Sequence, residues 1–164
     1  FKDLPYIFKE GLFPMDQDKL IKKLKRSKII IGNVEDSIKD FFKKNDPAPI
    51  AFISNDLDYY SSTVSSFKIF NNDSKFYLPR IFCYFDDVIG DQVSMYGEFT
   101  GELLAIKEFN EANKNKKIHL NQNLLCNMIG KHWRYQVYYY HDFLHPRYND
   151  YVESDDQEQG TFLK

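Results

Sequence analysis

The sequence predicts an α/β fold, a doubly wound sheet in which strands alternate with helices. Short runs of branched or aromatic residues, such as KIIIG and IFCYF, are typical of strands buried in a sheet. Segments with apolar residues every three or four positions lie between these runs, and turn residues such as Asp46-Pro47-Ala48-Pro49 separate the two kinds of segment. This alternation indicates parallel strands joined by right-handed crossover helices.

The first half of the chain alternates helix and strand twice. In order along the chain, the pattern predicts an amphipathic helix over 16–26 capped by Asp16 or Asp18, a buried strand at 29–31, a helix over 34–44, the strand PIAFIS, and a helix through Val64, Phe67 and Phe70. The strand at 29–31 is three isoleucines followed by Gly32, as expected for a strand covered on both faces.

The second half continues the alternation. IFCYF is the third predicted strand, and the strongest helix pattern in the chain follows over 101–113, with Glu102 and Glu108 expected on its solvated side. KIHL and QVYYYHDF are the fourth and fifth predicted strands. One domain is therefore expected over 1–151, and the acidic residues 152–164 are expected to form a flexible tail.

Composition excludes several classes of protein. The 22 Lys and Arg against 24 Asp and Glu give a net charge of -2, which leaves no basic excess for a nucleic-acid backbone. Since no apolar run reaches the roughly 18 residues that a membrane span needs, we expect no membrane segment and a cytoplasmic location. Cys83 and Cys126 lie in apolar segments without a partner at metal-ligand spacing, so buried thiols are expected rather than a disulfide framework.

Acidic residues follow two consecutive predicted strands. PIAFIS runs into Asn55-Asp56-Leu57-Asp58, and IFCYF runs into Asp86-Asp87. In open α/β sheets, ligands bind outside the carboxyl ends of the strands, where up to four carboxylates would repel one another if these strands are neighbours. A hard divalent cation such as Mg²⁺ relieves that repulsion and also holds substrate oxygens. The alternative interpretation is that these residues cap the helices that follow.

These acidic motifs carry a resemblance to a known family. PIAFISNDLDYYSST, then FCYFDD and the helix GELLAIKEF, resemble the second half of a class I S-adenosylmethionine-dependent methyltransferase. The most similar type is the metal-dependent sugar O-methyltransferase of the macrocin O-methyltransferase type, which implies a Rossmann-like fold. The resemblance implies that Asp56, Asp86 and Asp87 hold Mg²⁺ and that Asp58 is the general base that deprotonates the acceptor hydroxyl.

The resemblance extends to the cofactor and to the acceptor. GNVEDSI is similar to a turn of the family that contacts S-adenosylmethionine, which implies cofactor contacts for Gly32, Asn33 and Asp36. The acceptor would be a small molecule, most plausibly a sugar. The family's first strand and Gly-rich cofactor loop have no counterpart in the printed sequence, so we expect the C-terminal part of a longer enzyme that is marginally stable or homo-oligomeric by itself. The alternative is a homologue that has lost cofactor binding.

Histidines offer a further candidate. His141 comes after QVYYY in the last predicted strand, and at that position it could act as a base or as a second metal ligand. Its spacing to His145 is not a zinc signature. His119 lies within a predicted strand and reads equally well as a packed residue.

Two other functions fit the same residues. Asp56-Leu57-Asp58 is also the DxD arrangement with which many glycosyltransferases hold a divalent metal on a nucleotide sugar. The second acidic pair and the Ser61-Ser62-Thr63 continuation favour the methyltransferase interpretation. A non-catalytic α/β binding module with a structural cation at its acidic edge is the third hypothesis.

Overall fold

A four-stranded mixed sheet forms the centre of the computed structural model, which describes residues 1–127 and 130–151. Its strands are β1 (Ile50–Asn55), β2 (Tyr77–Phe85), β3 (Lys116–Leu120) and β4 (Val137–Asp142), in the spatial order β1-β2-β4-β3. β1 and β2 are parallel, whereas β4 is antiparallel to both of its neighbours. The α/β class is therefore observed, with β4 running against the other three strands.

The helices are short, except for one. The α-helices are α1 (Gln17–Lys23), α2 (Val34–Lys39), α3 (Phe41–Asn45), α4 (Tyr60–Ser66), α5 (Gly101–Ala112) and α6 (Gln122–Asn127). Turns of 3-10 helix cover Phe67–Asn71, Ser74–Phe76 and His132–Tyr135. The helix predicted over 34–44 is divided into α2 and α3 at Asp40, which caps the end of α2.

The hydrophobic core lies between one face of the sheet and the helices α4 and α5. Inward side chains of β2 and β4 alternate with outward ones along each strand, as the period of two requires. At the centre, the Phe70 and Tyr140 rings stack with their centroids 3.8 Å apart. Ile81, Cys83 and Phe85 of β2 pack into the same cluster, and burial raises the pKa of the Cys83 thiol to about 12.

The strand predicted at 29–31 is wrong. Residues 29–31 have no strand structure, and the side chains of Ile30 and Ile31 are 43% and 53% exposed. Branched apolar residues form a strand only when a neighbouring strand pairs with them, and no strand in the described part of the chain does so. The three isoleucines have a high β propensity, but the described residues provide no neighbouring strand with which they could pair.

The doubly wound arrangement is also wrong for the described residues. Helices cover one face of the sheet, while Phe52 and Phe82 on the opposite face are 58% and 49% exposed. A doubly wound sheet needs a helical layer over that second face. Within the same residues, no helix has the length and apolar character needed to cross a membrane.

Two further expectations have mixed outcomes. Cys83 is buried, but Cys126 is exposed, so only one of the two thiols belongs to the core. Glu102, expected on the solvated side of α5, is fully buried instead. The predicted acidic tail at 152–164 lies outside the described residues.

A pair of conservative substitutions checks this assignment of the core. Ile81→Val removes one methylene from a fully buried side chain, so we expect it to lower the free energy of unfolding by about 0.5–1.5 kcal/mol. Ile30→Val removes the same group from a 43% exposed side chain, and we expect a much smaller change. Urea denaturation of both variants measures the difference. Equal losses would show that 29–31 is buried after all.

Candidate functional site

The predicted acidic edge exists because β1 and β2 are parallel neighbours. Asn55 pairs with Phe85 at the ends of the two strands, so the residues that follow emerge at the same edge of the sheet. The amide of Asp86 donates a 3.0 Å hydrogen bond to the carbonyl of Asn55, which holds the two loops side by side. The sequence expectation that the two acidic motifs meet is therefore confirmed.

Three carboxylates come together at this edge. One oxygen from each of Asp56, Asp58 and Asp87 lies within 4.8 Å of the others, the spacing at which carboxylates can share one cation. We call these three residues the acidic triad. Asp56 is exposed, Asp58 is half-buried and Asp87 is buried, so the triad extends from solvent into the protein.

Asp86 is not part of the triad, although the sequence predicted it as a metal ligand. Its carboxylate accepts hydrogen bonds from the Tyr84 hydroxyl at 2.7 Å and from the Gln136 side-chain amide at 3.1 Å. Asp58, predicted as the base, occupies the third position in its place. Consecutive residues leaving a strand point to different sides, which is why Asp86 and Asp87 cannot both face the same cation.

Hydrogen bonds hold Asp87 in position. The Asp58 amide donates to one carboxylate oxygen of Asp87 at 3.1 Å, and the Tyr96 hydroxyl donates to the other at 3.0 Å. These donors lower the pKa of Asp87, but its burial has the larger effect and the net pKa is raised. Asp87 is thus a positioned carboxyl group that lacks full compensation for its charge.

Asp58 occupies a strained turn. Its φ of 56° is left-handed, a conformation that aspartate and asparagine tolerate better than most residues. The amide of Tyr59 donates to the carbonyl of Leu57 across it, closing a three-residue turn. Burial, together with the charge of Asp87 and then of Asp56, raises the pKa of Asp58 to about 6. Backbone strain and a raised pKa on one residue are typical of functional sites.

Glu102 lies directly behind the triad. One of its carboxylate oxygens accepts a 3.0 Å hydrogen bond from the Asp87 amide, and the other is buried without a hydrogen-bond partner among the described residues. Burial raises the pKa of Glu102 to about 8. The helical pattern could not show this burial, because it depends on long-range packing: the Gly101 amide donates to the Lys2 carbonyl, which joins the start of α5 to the N-terminal segment, and Glu102 itself contacts Asp87.

The chemistry of the triad fits a hard divalent cation. In addition to burial, the charge of Asp56 raises the pKa values of Asp58 and Asp87, and none of the three carboxylates forms an ion pair with a lysine, arginine or histidine in the described residues. Oxygen ligands of this kind are what Mg²⁺ prefers, and one or two protein carboxylates plus water and substrate oxygens complete its octahedron. Asp56 and Asp87, or all three carboxylates, could hold it.

A cleft opens beside Asp58. Its volume is about 490 Å³, and the segment 9–13 forms one wall while Tyr59 and Ser61 form part of the other. The amide of Ser61 donates to the carboxylate of Asp3 at 2.7 Å, and the Phe8 ring contacts the Tyr59 ring edge-on. The N-terminal segment is therefore packed against α4, and it gives the acidic triad a neighbouring space of the size of a small molecule.

The residues predicted to contact S-adenosylmethionine lie on the surface, away from the acidic triad's loops in the sequence. Gly32, Asn33 and Asp36 are exposed at the start of α2. The Asn33 side chain accepts from the Glu35 amide as a helix cap, and Asp36 pairs with Lys39 at 2.8 Å, which lowers the pKa of Asp36. Both polar side chains thus stabilise α2.

His141 is remote from the triad. His141 of β4 lies opposite Arg80 of β2. Asp87 comes seven residues after Arg80, which corresponds to a distance of roughly 20 Å between positions 80 and 87 at the rise per residue of a strand. The structure therefore does not bring His141 to the acidic edge. A base at His141 and a metal at the triad cannot act on one bound molecule.

No protein-family model matches this chain, and the searches of curated proteins and of solved structures return no match either.

Proposed function

We propose that the acidic triad binds Mg²⁺ and that this site serves O-methyl transfer to a hydroxyl group of a small, sugar-like acceptor. The observation that carries the metal site is the convergence of three carboxylate oxygens within 4.8 Å at the carboxyl ends of two parallel strands. Ligand sites of open α/β sheets lie at that edge. The choice of methyl transfer rests on the resemblance of the motifs around Asp56 and Asp87 to metal-dependent O-methyltransferases.

The sheet adds support to this choice. Three strands run in one direction and the last strand is inserted antiparallel between two of them, in the order β1-β2-β4-β3. This α/β sheet, with the acidic triad at the carboxyl ends of the parallel strands β1 and β2, is compatible with the proposal. The cleft beside Asp58 has room for an acceptor of the size of a monosaccharide.

The residues of the site have separable roles under this proposal. Bound Mg²⁺ supplies a Lewis acid that lowers the pKa of a nearby hydroxyl. Asp56 and Asp87 hold the ion, and the Tyr96 hydroxyl and the Asp58 amide keep Asp87 oriented. Asp58, whose pKa is about 6 in the metal-free chain and would be lowered by the bound ion, would then be ionised and take the proton of the acceptor hydroxyl. Tyr59 lines the side of the cleft on which the acceptor lies.

A second candidate is a non-catalytic module that uses the acidic triad to hold a structural cation. The observation in its favour is that Asn33 and Asp36, expected near the methyl donor, are committed to capping and to an ion pair. In that case the chain binds Mg²⁺ but neither the donor nor an acceptor.

The test begins with calorimetric titration of MgCl₂ at pH 6 in two buffers that differ in ionisation enthalpy. Since Asp58 has a pKa of about 6, Mg²⁺ binding is expected to release at least about half a proton per site. The same chain is then incubated with Mg²⁺, methyl-labelled S-adenosylmethionine and methyl glucoside. Label transferred to the sugar, and lost with EDTA, supports the methyltransferase. Mg²⁺ binding without binding of S-adenosylmethionine would contradict it for this chain and support the module.

A further inference from the structure

Two histidines meet on the exposed face of the sheet, far from the acidic triad. His119 of β3 lies opposite Tyr139 of β4, and His141 lies opposite Lys117, so the histidines are diagonal neighbours on one face. Their rings are nearly parallel, with centroids 4.9 Å apart and an interplanar angle of 9°. Their Nε2 atoms are 2.9 Å apart. We call these two residues the histidine pair.

The outer nitrogen of each ring has its own partner. Nδ1 of His119 lies 3.0 Å from the carbonyl oxygen of Leu120, and because a carbonyl only accepts, this nitrogen carries the proton and leaves a lone pair on Nε2. Nδ1 of His141 lies 2.7 Å from the Tyr148 hydroxyl, which can donate or accept. His141 can therefore move its proton from Nε2 to Nδ1 without losing that hydrogen bond. Partners of this kind orient histidines that bind metals.

Aromatic rings surround the histidine pair and partly exclude water. Phe143 stacks on His141 with centroids 5.5 Å apart, and Tyr139 lies 5.7 Å from His119. Arg80 is held above the Tyr148 ring and donates to the Tyr148 carbonyl at 3.2 Å. Burial, and then the charges of His119 and Arg80, lower the pKa of His141, which favours the neutral imidazole at neutral pH. Neutral imidazole is the form that ligates metals.

We propose that His119 and His141 form a two-histidine binding site for a borderline transition-metal cation of the class of Zn²⁺ or Cu²⁺. Zinc–nitrogen bonds of about 2.0–2.1 Å in a tetrahedron need ligand nitrogens about 3.3 Å apart, so the pair has to open only slightly from 2.9 Å. On binding, His141 changes tautomer: Nε2 releases its proton to solvent, and Nδ1 takes up a proton that it donates to the Tyr148 hydroxyl, so the ligand is a neutral imidazole. Water completes the coordination from the exposed side.

The two sites of the chain then select different metals. The acidic triad offers only carboxylate oxygens, the preference of Mg²⁺, whereas the histidine pair offers only imidazole nitrogens, which suit Zn²⁺ and Cu²⁺. A cation held by both histidines would also join β3 to β4, since each strand contributes one ligand. This inference does not depend on the proposed methyl transfer.

The experiment is calorimetric titration of ZnCl₂ at pH 7.5 into the chain carrying Asp58→Asn and Asp87→Asn, so that the acidic triad cannot bind the metal. His119→Gln and His141→Gln are compared in this background, with His132→Gln as the control because His132 is an exposed histidine outside the pair. We expect Zn²⁺ binding to weaken at least about tenfold with either pair variant and to be unchanged with the control. Circular dichroism checks the fold of each variant.

Two further measurements separate a metal site from a hydrogen-bonded pair. Tyr148→Phe removes only the partner of His141, and we expect it to weaken Zn²⁺ binding about tenfold while leaving both imidazoles in place. Zn²⁺ affinity is expected to fall as pH decreases, because protons compete with the metal for the imidazole nitrogens. Absence of Zn²⁺ binding in the background chain, or equal affinity in His119→Gln, would overturn the proposal.

Discussion

Replacing Asp58 and Asp87 together with asparagine is expected to weaken Mg²⁺ binding by about 100-fold or more, because the number of charged ligands sets the affinity of an oxygen site over several orders of magnitude. Asparagine keeps the size of each side chain and tolerates the left-handed φ of 56° at position 58, so the backbone is preserved. Calorimetric titration of MgCl₂ at pH 7.5 measures the loss.

The same pair of substitutions is expected to stabilise the metal-free chain. The charges of Asp87 and Asp56 raise the pKa of Asp58, which means that ionised Asp58 is less favourable in the folded state than in the unfolded chain. Allowing for the partial exposure of Asp58, its neutralisation is expected to add about 1 kcal/mol to the free energy of unfolding at pH 7.5. If Asp58 and Asp87 served only to stabilise the fold, the double variant would show a lower free energy of unfolding together with weaker Mg²⁺ binding.

Asp18→Asn combined with Asp40→Asn is the matched control. It removes two negative charges as well, but from exposed carboxylates that are not part of the triad. We expect Mg²⁺ affinity to stay within about twofold of the original, as expected for long-range charges that are screened by salt. If the control loses as much affinity as the triad variant, net charge rather than a defined site accounts for the binding.

Replacing Glu102 with glutamine is expected to remove a large part of the pH dependence of stability. The pKa of Glu102 is about 8 in the folded chain against an ordinary value of 4.5. Between these values the folded chain binds more protons than the unfolded chain, so the free energy of unfolding falls as pH rises. The fall attributable to Glu102 amounts to about 4 kcal/mol between pH 4.5 and pH 8.

Glutamine resembles the protonated form of Glu102 and retains an oxygen that can accept from the Asp87 amide. The variant is therefore expected to match the original chain near pH 4.5 and to exceed its stability increasingly towards pH 8. Urea denaturation at pH 5, 6.5 and 8 in EDTA measures this, with the exposed Glu111→Gln on the same helix as the control. A constant difference between variant and original at all three pH values would contradict the burial of an ionisable Glu102.

Sequence and structure agree at the ends of β1 and β2. The runs PIAFIS and IFCYF predicted two strands, and their acidic endings predicted a shared edge, which the parallel pairing of Asn55 with Phe85 confirms. Local composition suffices to predict these two strands, because the short apolar run indicates the strand and the aspartates that follow mark its end. The helix α5 was predicted from the helical spacing of its apolar residues, which is also a local feature of the sequence.

The assignment of roles within the acidic edge was less accurate. The motifs predicted Asp86 as a metal ligand, whereas the described geometry places Asp58, and not Asp86, beside Asp56 and Asp87. The direction of a side chain after a strand end depends on the turn that follows, and the left-handed turn at Asp58 has no signature in the residue types around it. Glu102 was misassigned because its burial beside Asp87 depends on contacts between segments far apart in the sequence, which helical periodicity does not record.

By itself, the sequence determined the α/β class, the four strands of the sheet among the five it predicted, the long helix α5 and the crowding of carboxylates at one edge. Tertiary structure alone decided that the isoleucines at 29–31 form no strand, that β4 enters antiparallel, and that His119 meets His141. The physical reason is that apolar periodicity records how each segment is buried, whereas pairing and register depend on contacts between segments far apart in the chain.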